Sequence, residues 1–243
     1  MKNDIGNRMK KYYEDRNRHH LTRRTPVIIR IDGKAFHQLT KKFDKPFDKW
    51  FTNTMSEVAY HLLKNIQGAK CVYSQSDEIS ILLKDFDRLN TDAWFDYNVQ
   101  KISSVSASMA SSIFTRTLIK DSEYDMKLKQ ISRNIISFDS RVFNIPKEEV
   151  CNYFIWRQKD WIKNSIQMLA RAYFSHKQLH KKSLSDMHDM LYEIGVNWND
   201  LNPVFKNGYF AVRLYDNSTV YEKNIIFTKN RDVFERILKP LEE

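Results

Sequence analysis

The stretch Cys71-Val72-Tyr73-Ser74-Gln75-Ser76-Asp77-Glu78-Ile79-Ser80-Ile81-Leu82-Leu83-Lys84 reads as two short strands joined by a tight turn with Ser76-Asp77-Glu78 at its tip. Ile79, Ile81 and Leu83 fall on one face at period two, and Ser80 and Lys84 on the other. Two-residue hairpin tips normally carry Asn-Gly, Asp-Gly or Gly-X, because such turns need positive φ. This tip is acidic and has no glycine. Adjacent carboxylates repel, and a bound cation is one way to offset that repulsion. Pro26-Val27-Ile28-Ile29-Arg30-Ile31-Asp32-Gly33 supplies a second acid at a strand end. Singly, an acidic tip is an ordinary solvated turn and Asp-Gly an ordinary strand terminator. As a pair, Asp32 and Asp77 are expected to meet in space and hold divalent metal for chemistry on a nucleotide phosphate.

Working outward, strand one covers Val27 to Ile31, and a lysine-bearing loop follows from Lys34 to Phe47. Trp50, Phe51, Met55, Val58, Ala59, Leu62, Leu63 and Ile66 recur at helical spacing, which predicts a helix over 48–66 with one buried face, stopped at Gly68. After the hairpin, Val99, Ile102, Val105, Met109 and Ile113 predict a second helix over about 94–118. Its many serines and alanines allow it to lie close on a sheet. A fourth strand is expected from Ile135 to Phe143, interrupted by Asp139 and Arg141. The order is β-α-β-β-α-β, the ferredoxin-like unit, an α+β fold with an antiparallel sheet and both helices on one face. Strand one then lies mid-sheet beside the hairpin, with Asp32 near Asp77.

The chain is expected to divide into a catalytic domain over 1–145 and a helical and small β extension over 146–243, packed on it or continuous with it. Residues 2–18 read as a short amphipathic helix. Pro146, Glu148 and Glu149 suit a helix start, and that helix runs to about 175. Gln158 interrupts its apolar stripe, as a satisfied buried polar group or a ligand contact. A shorter helix is expected over 185–194, with strands over 209–214 and 219–227.

The 243 residues carry a formal charge of +10, which suits a polyanionic partner. Cys71 and Cys151 have neither zinc-ribbon spacing nor a disulfide framework. No apolar run approaches the roughly 18 residues of a membrane span, so no membrane partner is expected, and the cytoplasm is the expected location (or an organelle in a eukaryote). There is no Walker loop and no Gly-x-Gly-x-x-Gly. Phosphates would therefore be gripped by lysine, arginine and the backbone amides after Asp32. In a two-metal site one Mg2+ activates an attacking hydroxyl and the other neutralises the departing phosphate.

Five ordered motifs carry a resemblance to a known family: Arg30-Ile31-Asp32-Gly33-Lys34-Ala35-Phe36-His37; Lys45-Pro46-x-Asp48; Gln75-Ser76-Asp77-Glu78-x-Ser80; Phe138-Asp139-x-Arg141; and Trp156-Arg157-Gln158-x-Asp160 with Asn164. Together they resemble the tRNA-histidine guanylyltransferases over roughly residues 5–210. The resemblance implies a polymerase-palm-like catalytic domain and nucleotide addition to the 5′ end of tRNA in the 3′-to-5′ direction. ATP or GTP first activates the 5′-monophosphate. By position, Asp32, the Gly33 carbonyl and Asp77 would hold two magnesium ions, with Glu78 supporting catalysis. Gly33, Lys34, Ala35, Phe36, His37 and Ser76 would contact nucleotide, with Lys45, Asp48, Lys101 and Arg141 completing that set. Arg157, Gln158, Lys163 and Asn164 would contact tRNA, and a homotetramer is implied.

Two departures qualify this. Ser74 stands where the family usually has glycine. Ile162-Lys163-Asn164-Ser165 replaces the His-Ile-Asn-Asn of the eukaryotic enzymes, which resembles the guanylyltransferase-like branch associated with template-dependent tRNA 5′-end repair. The expected function is that repair. The alternatives are strict G addition to tRNA-histidine, a nucleotide cyclase or dinucleotide synthase on the same palm, and a non-catalytic RNA-binding module.

Overall fold

The computed structural model describes residues 4–214, 216, 218–222 and 224–241. In chain order the elements begin with helix α1 (Asp4–Met9), strand β1 (Val27–Gly33), α2 (Phe36–Leu39), α3 (Lys49–Asn65), β2 (Ala69–Gln75) and β3 (Glu78–Leu83). Then come α4 (Val99–Asp121), α5 (Met126–Ile131), β4 (Phe138–Asn144), α6 (Lys147–Tyr173), α7 (His176–Leu179) and α8 (Leu184–Glu193). The chain closes with α9 (Pro203–Asn207), β5 (Tyr209–Arg213), β6 (Thr219–Tyr221) and α10 (Asp232–Leu238).

The six strands form one antiparallel sheet in the order β4-β1-β3-β2-β5-β6. The first four strands and the two long helices between them follow the expected β-α-β-β-α-β order, with β1 between β4 and the hairpin. Period two in β1 sends Ile29 and Ile31 to one face and Ile28 to the other, all fully buried. Each such side chain contributes roughly 1.5–3 kcal/mol.

The first face is covered by α3 and α4. In α3, Phe51, Met55, Val58, Leu62 and Leu63 form the buried stripe that the spacing predicts. The serines of α4 do allow close approach: Ser106 is fully buried, its hydroxyl 2.8 Å from that of Ser140 on β4, and Ser111 Oγ accepts from the Phe138 amide at 3.1 Å. The second face is covered by α6 and α10, where Val150, Phe154 and Phe234 pack on Ile28, Tyr73 and Leu82.

The sequence-based boundaries shift at several points. The 94–118 helix begins at Val99, because Phe95, Asp96 and Tyr97 all take left-handed φ near +50° and break the helical path. Strand four begins at Phe138, and β6 ends at Tyr221. The predicted strand beyond it is absent at 225 and 227, whose backbone bonds the Gln158 side chain instead; residue 223 lies outside the described residues, as do 2 and 3 of the predicted first helix. The rest of that helix winds irregularly from Asp4 to Asn17 and buries nothing. β5 and β6 extend the same sheet beside β2, so the chain after 146 shares both the sheet and the second core with the chain before it. Among the described residues no helix is long and apolar enough to cross a membrane.

Candidate active site

The site is built where β1 ends and the β2–β3 hairpin turns. Gln75 and Glu78 form the last rung, leaving Ser76 and Asp77 as a two-residue turn. Ser76 takes the positive φ (+48°) that such a turn requires. A residue with a Cβ adopts that conformation at a cost of roughly 1–2 kcal/mol, and strain of this kind gathers at functional sites. The Gly33 amide donates to the Asp77 carbonyl at 3.1 Å, which fixes the tip of the hairpin against the end of β1.

The neighbouring strand ends add charge. Asp32 is in register with Glu78 on β3 and with Asp139 on β4, and two rungs back Arg30 faces Arg141. Antiparallel pairing of Arg30-Ile31-Asp32 with Asp139-Ser140-Arg141 thus sets like charge opposite like, an arrangement that costs stability by itself. Burial, then Glu78 and Asp139, raise the Asp32 pKa, with Arg141 and Arg30 pulling it back. Asp77 is pushed up to about 6, first by burial and then by Asp32. Both carboxyls therefore sit where a cation would relieve them.

Among the described residues no three His, Cys, Asp or Glu side chains gather closely enough to form a metal cage. Magnesium binds through one or two carboxylates and takes its remaining ligands from water and substrate phosphate. Asp32, Asp77 and the Gly33 backbone are the groups that would hold it.

Phe36 explains the turn after Asp32. Its ring lies where a Gly33 Cβ would stand, 2.4 Å away, and packs on Phe114 and Phe138 with centroids 5.4 and 4.8 Å apart. This plugs α2 into the core behind Ala35, which itself has φ +58°. The amides that open α2 (Phe36 and His37) need partners from outside the helix, beside Asp32.

A cleft of about 650 Å³ opens from these carboxylates. Asp32, His37, Lys45, Asp48, Ser76, Asp77, Glu78, Arg157 and Asn164 of the expected set all border it. Lys45 is exposed, its ammonium donating to the Thr40 carbonyl at 2.9 Å. Asp48 is engaged: it caps α3 by accepting from the Phe51 and Asp44 amides, and it pairs with Lys127 at 3.2 Å. Ser74, buried, fills the wall of the cleft beneath Tyr209, its partner on β5. Lys34 and Ala35 are exposed on the turn, where the Lys34 amide bonds the Ser137 carbonyl.

Three expected contacts are placed differently. Lys101 sits near the start of α4, with its ammonium 5.8 Å from the Phe95 ring centre. Ser111, ten residues on, is the one that reaches Phe138 beside Gly33; at 1.5 Å per residue Lys101 is roughly 15 Å away along the helix. It does not border the cleft. Gln158 is 3 % exposed. It donates to the Asn207 and Ile225 carbonyls at 3.2 and 2.9 Å and accepts from the Phe227 amide at 2.9 Å. Of its two readings, this is the arrangement of a satisfied buried polar group. Arg157 points inward, its guanidinium 2.6 and 2.8 Å from the two Glu78 oxygens. Lys163 and Asn164 are exposed on α6.

Sequence reasoning missed Arg30 and Asp139 as site residues. Their signal was present: Arg30 and Asp32, like Asp139 and Arg141, are polar at period two within apolar strands. It also missed Trp161, Arg171 and Tyr209 on the cleft wall, which no local pattern marks.

The structure is similar to that of a bacterial tRNA(His) guanylyltransferase-like protein in complex with ATP, 43% identical with TM-score 0.86, covering 98% of this chain and 100% of that one. A similar bacterial protein in complex with GTP is 40% identical with TM-score 0.80 over 96% and 98%. The tRNA(His) guanylyltransferase of Debaryomyces hansenii is 29% identical over 79% of this chain and 75% of its own length. The family profile for tRNAHis guanylyltransferase matches residues 6–146, the segment that contains β1, the hairpin, α4 and β4. On that match, and on four of the five motifs bordering one cleft with the fifth in register beside Asp32 on β4, the chain belongs to the tRNAHis guanylyltransferase family of nucleotidyltransferases.

Proposed function

We propose that this enzyme adds nucleotides in the 3′-to-5′ direction to the 5′ end of tRNA, as a magnesium-dependent, template-directed repair activity. ATP or GTP activates the 5′-monophosphate, and the enzyme works as a homotetramer in the cytoplasm. The observation that carries the reading is the meeting of Asp32 and Asp77 at the mouth of a nucleotide-sized cleft, joined by the Gly33–Asp77 backbone bond. The likeness to proteins solved with ATP and with GTP supports a triphosphate in that cleft. The greater identity to the guanylyltransferase-like bacterial proteins than to the Debaryomyces hansenii enzyme supports repair over strict G addition. The tetramer rests on the family resemblance.

In this reading Asp32, Asp77 and the Gly33 carbonyl bind magnesium at the sheet's end. Bound there, magnesium supplies a lowered pKa for the attacking 3′-hydroxyl and charge neutralisation for the departing phosphate. The amides of Phe36 and His37, with Lys45 across the cleft, grip the phosphates. Ser74 and Tyr209 limit the cleft wall on the β5 side. Arg30 and Arg141 balance the acidic rung and offer a guanidinium surface to a second phosphate group.

Wild-type protein is expected to incorporate labelled, template-matched nucleotide into tRNA lacking its first 5′ nucleotide, given ATP and magnesium. Asp32→Ala and Asp77→Ala should each lower that incorporation by at least about 1000-fold while circular dichroism stays unchanged. Full incorporation by either variant would remove the catalytic reading. A single G added to tRNA-histidine alone would replace repair with G addition, and a cyclic product released without RNA would replace both.

A further inference from the structure

Glu78 is the carboxylate whose role the fold changes most. It stands on the rung beside Asp32, where proximity alone would make it a third acid at the cation site. Yet both of its oxygens are already engaged. Oε1 accepts from Arg157 Nε at 2.6 Å and from Gln75 Nε2 at 3.4 Å, and Oε2 accepts from Arg157 Nη2 at 2.8 Å. Arg157 is 7 % exposed. Its guanidinium also donates to Asp160 at 3.1 Å and stacks on the Trp156 ring at 4.4 Å. A planar fork held on three sides in this way is rigid, and the two-point pairing fixes the orientation of the acid it grips.

We propose that Arg157 is a positioning residue: its fork turns the Glu78 carboxylate toward α6 and matches its charge, leaving Asp32 and Asp77 as the two acids that face the cation. The proposal rests on the reading of Asp32 and Asp77 as a cation site. It gives Glu78 the part of a tether between the sheet's end and α6, and it explains how an acidic rung is tuned to a magnesium ion, which takes one or two carboxylates.

The test is Mn2+ binding to the purified protein without nucleotide or RNA, followed by electron paramagnetic resonance, with thermal unfolding recorded alongside. Asp32→Asn first establishes the site. If it leaves Mn2+ binding unchanged, the cation-site reading fails and this proposal falls with it. If it abolishes binding, Glu78→Gln is expected to stay within about twofold of wild type, since a matched acid adds little field at the cation. Arg157→Gln releases an unmatched carboxylate beside Asp32 and is expected to tighten Mn2+ by about tenfold. The double substitution Arg157→Gln/Glu78→Gln should return the affinity to the Glu78→Gln value. A merely structural arginine would behave otherwise, weakening Mn2+ and lowering the unfolding temperature with no rescue by Glu78→Gln, and that result overturns the proposal. Loss of binding in Glu78→Gln equal to that in Asp32→Asn overturns it too, and can be read even where Arg157→Gln does not fold.

Discussion

Asp77 concentrates the chemistry of the site in one side chain, because burial and Asp32 hold its proton up to about pH 6. The ordinary carboxyl value is 3.8, so the folded state binds this proton more tightly than the unfolded chain does. Stability gained from the proton is then full below about pH 4 and is lost as pH rises to 6. Asp77→Asn, uncharged at every pH, is expected to unfold with wild type near pH 4. At pH 7.5 it should unfold about 2–5 °C higher, a gap that magnesium narrows by stabilising the wild type. Scanning fluorimetry at the two pH values checks this, and an Asn variant that is less stable at pH 7.5 than wild type would show that Asp77 is not strained by its neighbours. The residue was legible in the sequence because its turn lacks the glycine that the geometry needs. The Arg157–Glu78 pair was not, since 79 residues separate the partners and opposite charge alone does not specify which acid an arginine will find.

Elements were legible in proportion to their length. α3 and α6 run for 17 and 27 residues, long enough for the 3.6-residue stripe to be unmistakable, and alternation made β1 and β3 equally plain. α2 has four residues and starts from a left-handed alanine, so no periodicity could announce it; its existence depends on Phe36 filling the space above Gly33. The start of α4 was misjudged for a related reason, as Phe95 to Tyr97 take a left-handed backbone that no periodicity announces. Asp48 joins element to site. It caps α3, whose first turn borders the cleft, and Lys127 reaches it from α5. Asp48→Ala is expected to cost about 1–2 kcal/mol in urea unfolding, the usual size of a lost N-cap, whereas Asp48→Asn, which caps as well, recovers most of it. Equal losses in the two variants would assign the effect to the Lys127 pair instead of the cap.

Over the whole molecule, one sheet separates two kinds of work. Its first face carries one hydrophobic core, aliphatic and aromatic, under α3 and α4, and its second carries α6, whose outer surface presents Lys159 and Lys163 one turn apart and both exposed. The far end of the molecule is closed by Lys84, fully buried, whose ammonium holds the end of α10 through the Ile237 and Lys239 carbonyls at 2.9 and 2.8 Å. Buried lysine and exposed lysine therefore have separate duties, and only the second kind can account for the affinity of a +10 chain for RNA. If α6 lies along the tRNA backbone, each lysine neutralises a phosphate and releases its counterions. Removing both in Lys159→Ala/Lys163→Ala should lower the slope of log K against log salt by about two, with nucleotide affinity in the cleft unchanged because neither side chain borders it. Filter binding across a salt series measures the slope. An unaltered slope would move the RNA path off α6 and onto another exposed run of positive charge, such as the basic arm ahead of β1 with Arg16, Arg18, Arg23 and Arg24. Two of those arginines are already committed, Arg18 to Glu14 and Asp15 and Arg23 to Asp85 and Asp96, and that is why α6 is the stronger expectation.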